Sequence, residues 1–181
     1  MQPAPEILFQ HANGIGVVTL NRPQARNALT YFMYEELARI CADPAKAGAG
    51  RVLIVTGAGD KAFAAGTDIA QFRAMREPQD AIDYEIRIEK VLDAIESCSV
   101  PTIAAIAGAV TGGGAAIAAC CDIRIATESA RFGFPIARTL GNCLSVRNYA
   151  RLVALLGAAR VKELIFTARL MAAEEAKSIG L

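Results

Sequence analysis

Two glycine-bearing turns carry the residues best suited to chemistry. In the first, Gly112, Gly113 and Gly114 separate a wholly apolar run, Ile103 to Ala107, from a run of small apolar residues, Ala115 to Cys121. A helix that begins at such a turn has backbone N–H groups without partners and a partial positive charge at its start. That combination suits an anion, or an oxygen that becomes anionic during a reaction. The second turn spans Gly57 to Asp68 and ends in Gly66-Thr67-Asp68, where Thr67 or Asp68 can cap a helix. Nucleotide phosphate binding is disfavoured. No G-x-G-x-x-G occurs here, and no Lys followed by Ser or Thr closes the triplet.

Both turns need a buried strand in front and a helix behind. Val52 to Val55 reads as a buried strand and Ile103 to Ala107 as a strand buried on both faces. Two further readings of the stretch Pro101–Asp122 stand beside this one. The absence of charge between Glu96 and Asp122, with G-x-x-x-G spacing at Gly108 and Gly112, fits a membrane span. Three adjacent glycines argue against that, at about 1 kcal/mol each in helix propensity. A strand-to-helix crossover without chemistry fits as well.

The remaining elements follow from local pattern. Glu6–Gln10 and Gly16–Leu20, joined through Asn13-Gly14, predict a hairpin. Thr30 caps a helix to Cys41, with Met33, Leu37, Ile40 and Cys41 on one stripe. A helix through Ile69, Phe72 and Met75 precedes a longer one, Gln79–Ser97, which is read with Ile82, Ile86, Val91, Leu92 and Ile95 inward and an Asp83–Arg87 pair outward. Asp122–Thr127 is a strand, residues 130–135 a turn and residues 138–143 a polar loop. Ser145–Leu156, Ala158–Phe166 and Ala172–Ile179 are helices, with Gly157 and Gly180 as stops. The alternation predicts an α/β fold.

Composition narrows the function. Of 181 residues, 54% are hydrophobic and only 6% aromatic, so the core must be aliphatic and closely packed. Nineteen basic and 18 acidic residues give a net charge of +1, which offers no surface for nucleic acid. The five cysteines lack metal-ligand spacing and fit a reducing cytoplasm. The first residues, Met1 to Glu6, lack a basic flank and an apolar core, so no signal peptide is read there. His11 lies in the hairpin, remote from both turns.

Taken together, the two turns resemble the crotonase family, the enoyl-CoA hydratase/isomerase superfamily. The resemblance rests on Lys61 through Ile69, on Pro101 through Gly114 and on Cys121 through Ala126, with Asn21-Arg22-Pro23, Asn27-Ala28-Leu29, Phe132-Gly133 and Pro135 in support. It implies a crotonase-like spiral of strand-strand-helix units, read as one acyl-CoA-binding core over residues 1–181. It also implies assembly as a homotrimer or a dimer of trimers. Typical members continue past Leu181 with further helices, so the chain is read as largely lacking that region. The partner is an acyl-CoA, with coenzyme A as part of the substrate and no other cofactor, no metal, no nucleic acid and no membrane.

The resemblance also assigns roles. The N–H groups of Thr67 and Gly113 would form an oxyanion hole for the thioester oxygen. Arg22, Arg26 and Lys61 would lie towards the CoA phosphates. Ala65, Asp68, Ile69, Gly112, Ala116 and Ile136 would border the substrate. Hydratases of the family carry two glutamates at the positions held here by Ala116 and Ile136, so ordinary hydration by that route is not expected. In the polar loop, Asn142 stands where some members place a working carboxylate, and Cys143 would be nucleophilic if Arg138 acidified it. The resemblance places Glu85 and Glu89 on the helix that borders the pocket in relatives, and a solvated face is the preferred reading for both. The expected function is an enoyl-CoA hydratase/isomerase-type protein with an altered base. The alternatives are a non-catalytic acyl-CoA binder or assembly subunit, or a related CoA-thioester hydrolase or decarboxylase.

Overall fold

The computed structural model describes residues 4–73, 75–141 and 143–181. The Asn13-Gly14 dipeptide does what its backbone freedom predicts. With φ of 52° and 78° it turns β1 (Ile7–Ala12) antiparallel onto β2 (Ile15–Leu20). A short 3₁₀ turn, Pro23–Ala25, leads to α1 (Tyr31–Ala42), whose first turn is closed by the Thr30 hydroxyl accepting from the Met33 N–H at 3.2 Å. Met33, Tyr34, Leu37, Ile40 and Cys41 form its buried stripe.

After α1 the chain repeats one unit. A strand joins a first sheet, a corner follows, and a shorter strand joins a second sheet. The pairs are β3 (Val52–Gly57) with β4 (Ala62–Ala65), β5 (Thr102–Ile106) with β6 (Ala109–Thr111), and β7 (Ile123–Ala126) with β8 (Arg131–Gly133). The first sheet runs β1-β2-β3-β5-β7; the second runs β4-β6-β8-β9, with β9 at Met171–Ala172. All pairings among β3, β5 and β7, and among β4, β6 and β8, are parallel. Helices follow each pair: α2 (Ile69–Phe72) and α3 (Pro78–Glu96), then α4 (Gly113–Cys120), then α5 (Ile136–Leu140), α6 (Val146–Leu156), α7 (Ala158–Thr167) and α8 (Ala173–Ser178). One continuous core joins Val18, Leu53 and Val55 of the first sheet to Phe63 and Ala64 of the second, and both to α1, α3 and α4.

Several expectations need correction. The second-sheet strands β4 and β8 lie in stretches read as turns, and β6 lies in residues 109–111, which the sequence reading assigns to no element. They are three or four residues long and follow tight corners, so local pattern gives them little signal. The polar stretch 138–143 instead begins inside α5. Buried residues of β5 alternate with half-buried ones, so only one of its faces is fully covered. In α3 the inward stripe is Ile88, Val91, Leu92 and Ile95, while Ile82 and Ile86 are about half exposed. Arg87 does not pair with Asp83. It reaches Glu35 at 3.5 Å and lies over the Tyr31 ring, and Asp83 accepts from Gln79 instead. Among the described residues no helix is long and apolar enough to cross a membrane, and the stretch once open to that reading divides among β5, β6 and α4.

The corner at Gly108 shows what the spiral demands. Its φ is +66°, and a Cβ there would sit 2.2 Å from the Lys61 carbonyl oxygen. Gly108→Ala should therefore lower unfolding free energy in urea by roughly 2–5 kcal/mol. A loss below about 0.5 kcal/mol, the scale of an ordinary surface change, would show that the corner is not tight.

Candidate active site

The site begins with two backbone amides. Past β4, Gly66 has φ of +93°, and the chain makes a single parallel bridge to Leu29. Leu29 N–H donates to the Gly66 carbonyl at 2.8 Å, and Asp68 N–H donates to the Leu29 carbonyl at 2.9 Å. In such a bridge the central residue's own N–H points away from the partner. The Thr67 N–H takes no hydrogen bond among the described residues. At the other turn, Gly112 caps α4, and the first intrahelical bond runs from Ala116 N–H to the Gly112 carbonyl at 3.0 Å. Gly113 N–H, one residue inside, likewise has no partner among the described residues.

Close packing brings these turns together. A Cβ on Gly114 would lie 2.3 Å from the Ala64 carbonyl oxygen, so α4 rests directly on β4. A Cβ on Gly113 would lie 2.0 Å from the Tyr34 hydroxyl and 3.2 Å from the Thr67 Oγ1. Both residues line one cavity of about 230 Å³. Ala65, Ile69, Gly112, Ala116 and Ile136 line it too, so seven of the residues singled out in the sequence meet there. Arg22, Arg26, Lys61 and Asp68 do not line it. Asn142 falls outside the described residues.

The four residues away from the cavity have visible roles or settings. Asp68 caps α2 by accepting from Ala70 N–H at 3.0 Å and pairs with Arg22 at 2.8 Å. The Ala70 N–H, and then Arg22, hold its carboxyl below the usual range. Arg22 also reaches Glu6 at 3.4 Å and donates to the Ala28 carbonyl at 2.7 Å, so its charge is spent tying the 3₁₀ turn to the Thr67 turn. Arg26 and Lys61 are exposed.

The sequence reading missed three groups on this site. Tyr34 is fully buried, and its hydroxyl lies 2.9 Å from Thr67 Oγ1, which lies 2.9 Å from the Tyr84 hydroxyl. Burial pushes Tyr34 well up and Tyr84 up to about 12, so both remain protonated at neutral pH and the three hydroxyls form a neutral chain beside Gly113. Glu85 also lines the cavity, half-buried, rather than lying on a solvated face. Burial, and then the charge of Glu89, raises its carboxyl above the usual range. The spacing of Tyr84, Ile88, Val91, Leu92 and Ile95 contained this information, because it defines a helical stripe that turns Tyr84 inward and carries its neighbour Glu85 with it.

Glu89 is also not solvated. It accepts from Ser145, the residue that caps α6, and from Arg151 at 3.0 Å, with Arg147 at 3.6 Å. Arg151 is only 9% exposed and reaches Asp93 and Glu96 as well. This cluster fixes α6 against α3 and so holds the segment with Cys143, Leu144 and Ser145 at the cavity edge. Arg138, proposed to acidify Cys143, does not line the cavity.

Comparison with known proteins now bears on the same turns. The family described as enoyl-CoA hydratase/isomerase matches residues 10–181. The chain belongs to the enoyl-CoA hydratase/isomerase family. It is 38% identical over 175 residues to a short-chain-enoyl-CoA hydratase of Clostridium acetobutylicum, covering 97% of this chain and 66% of that protein. It is 37% identical over 175 residues to a crotonyl-CoA hydratase of Syntrophomonas wolfei, again covering 97% and 66%. Among solved structures, the enoyl-CoA hydratase of Bacillus anthracis superposes with a TM-score of 0.88 at 37% identity, over 97% of this chain and 68% of that one. An enoyl-CoA hydratase/carnithine racemase of Magnetospirillum magneticum gives 0.89 at 36% identity, over 98% and 67%. The fold is the crotonase spiral of this family, and the chain spans about two thirds of the length of these relatives.

Removing Arg151 would leave Glu89 enclosed without its main counter-charge. Arg151→Ala should cost about 3 kcal/mol in urea unfolding, whereas Arg39→Ala, at an exposed pair within α1, should cost well under 1 kcal/mol. Equal losses for the two would contradict the structural role given to the Glu89 cluster.

Proposed function

We propose that the chain binds the thioester of an acyl-CoA and stabilises its enolate. The thioester oxygen lies between the N–H groups of Thr67 and Gly113. The observation that supports this most directly is the pair of unpartnered amides bordering one largely apolar cavity. When a proton leaves the carbon beside the thioester, charge moves onto that oxygen. Fixed amides there act without reorganisation, and each is worth about 10²–10³ in rate. The start of α4 adds its partial positive charge. Tyr34 and Tyr84 hold Thr67 in place through its hydroxyl.

Ordinary hydration is not part of this reading. Ala116 and Ile136 line the cavity; the family resemblance implies glutamates at these two positions in hydratases, and neither Ala nor Ile can move a proton. Exposed Arg26 and Lys61 remain available for CoA phosphates, while Arg22 acts as a strut. The reaction needs no cofactor beyond the coenzyme A carried by the substrate. Self-association as a trimer or dimer of trimers fits the exposed Ile123 and Ile125 of edge strand β7, and Val146 and Phe166.

Acetyl-CoA should bind the chain more tightly than free CoA in calorimetry, by roughly 3–10-fold for the hydrogen bonds to the thioester oxygen. Any side chain at 113 meets the Tyr34 hydroxyl, so the amide is best deleted as Gly113→Pro in a Tyr34→Phe background, compared with Tyr34→Phe alone. The deletion should remove most of the preference for the thioester. Equal affinity for CoA and acetyl-CoA throughout, or no binding of either, would overturn the proposal.

A further inference from the structure

The cavity lacks a carboxylate at 116 and at 136, yet one stands elsewhere on its lining. Glu85 lines it from α3. Every other carboxylate of that helix is held. Asp80 accepts from the N–H groups of Arg76 and Glu77, Asp83 from Gln79, and Glu89, Asp93 and Glu96 from Arg151. Glu85 takes no hydrogen bond and no ion pair among the described residues. The cavity it lines is largely apolar, with Ile69, Phe72, Ile88 and Leu144 among its walls and the hydroxyl-bearing Tyr34, Tyr84, Thr139 and Ser145 on it as well. A carboxylate kept without a partner against apolar groups costs stability, and such cost concentrates at working sites.

We propose that Glu85 is the acid–base group of this site, taking a proton from the carbon beside the thioester and returning it to the same acyl chain. This rests on the thioester reading above. In the first step the C–H bond at the α-carbon breaks, the proton passes to a Glu85 oxygen, and the electron pair forms a carbon–carbon double bond. Negative charge then sits on the oxygen between the amides of Thr67 and Gly113. In the second step Glu85 returns the proton and the charge leaves the oxygen. Return to the α-carbon gives hydrogen exchange. In an acyl group with a β,γ double bond, return to the γ-carbon gives the α,β isomer. Both outcomes balance with one base and no co-reactant. Addition of water would need a second polar group to hold the nucleophile, and Ala116 and Ile136 offer none.

The substrate class follows from the walls. The cavity, about 230 Å³ and largely apolar, suits a short, apolar acyl group. The raised proton affinity of Glu85 supports the role, since it makes the carboxylate a stronger base and lets it hold the proton between steps. The titratable groups that share its surroundings are Tyr34 from α1, Tyr84 and Glu89 from α3, and Cys143 beyond α5. With the folded-state value raised above the unfolded one, ionised Glu85 destabilises the fold, and more so as pH rises through the folded value. Glu85→Gln should therefore melt no lower than the wild type at pH 8.

The test uses the 181-residue chain with butyryl-CoA in deuterium oxide, reading α-hydrogen exchange by mass spectrometry and binding by calorimetry. The wild type should exchange. Glu85→Gln should slow exchange by about 10²–10⁴-fold, with the dissociation constant changed by less than about threefold, the scale below a typical hydrogen bond. Glu85→Ala should be equally slow and should recover in part with added formate, which fills the space and supplies a carboxylate. Exchange by Glu85→Gln at the wild-type rate would overturn the role. So would binding without exchange by the wild type, loss of binding along with exchange in Glu85→Gln, a lowered melting temperature, or no recovery with formate. Failure of the wild type to bind butyryl-CoA at all would instead remove the thioester reading, and this proposal with it.

Discussion

The contact on which the rest depends is that of the first turn of α4 with β4 and Tyr34. Gly114 lies so close to the Ala64 carbonyl that no side chain fits between them, and Gly113 lies equally close to the Tyr34 hydroxyl. Only glycine permits this approach. Because the helix begins there, its leading amides have no carbonyl to meet. Because it begins against β4, those amides emerge beside Thr67, whose own N–H faces away from its bridge to Leu29. A feature that weakens an isolated helix thus becomes a pair of donors on one cavity.

What surrounds the amides keeps them in place. The buried hydroxyl chain through Tyr34, Thr67 and Tyr84 joins α1, the Thr67 turn and α3 across the cavity. Asp68 and Arg22 lock the other side of the same turn. The Glu89–Arg151 cluster fixes α6 on α3. Each is a group whose removal would strand a polar partner out of water, so the cost of loosening the site is spread over several elements. The cavity itself remains mostly apolar, which is the setting in which two amide dipoles and one carboxylate act most strongly.

Much of this arrangement could be read in the sequence because it follows from local chemistry. Asn13-Gly14, the Thr30 cap, the glycine triplet and the four-residue run Val52–Val55 each have a backbone requirement or a periodicity that few structures satisfy. Of the twelve site residues that the resemblance assigned, seven line one cavity, Arg22, Arg26, Lys61 and Asp68 do not, and Asn142 lies outside the described residues. The second sheet was not legible. Its strands follow corners such as Gly108 and are too short for alternation to show. On α3, Val91, Leu92 and Ile95 face inward as expected, but Ile82 and Ile86 do not, because they are as apolar as Ile88 and only tertiary packing distinguishes them. The same misplacement at the start of the helix leaves Tyr84 unread and favours a solvated face for Glu85 and Glu89. Tyr34 was hidden for another reason: its hydroxyl matters through contacts with residues 67 and 113, far away in the chain.

The central claim concerns where a thioester oxygen sits, and a crystal structure of the chain with a bound, non-hydrolysable acyl-CoA analogue measures that directly. The account predicts the carbonyl oxygen about 2.7–3.1 Å from both the Thr67 and the Gly113 nitrogen. An analogue whose acyl group occupies the cavity while its oxygen faces water, or bonds to neither amide, would contradict it.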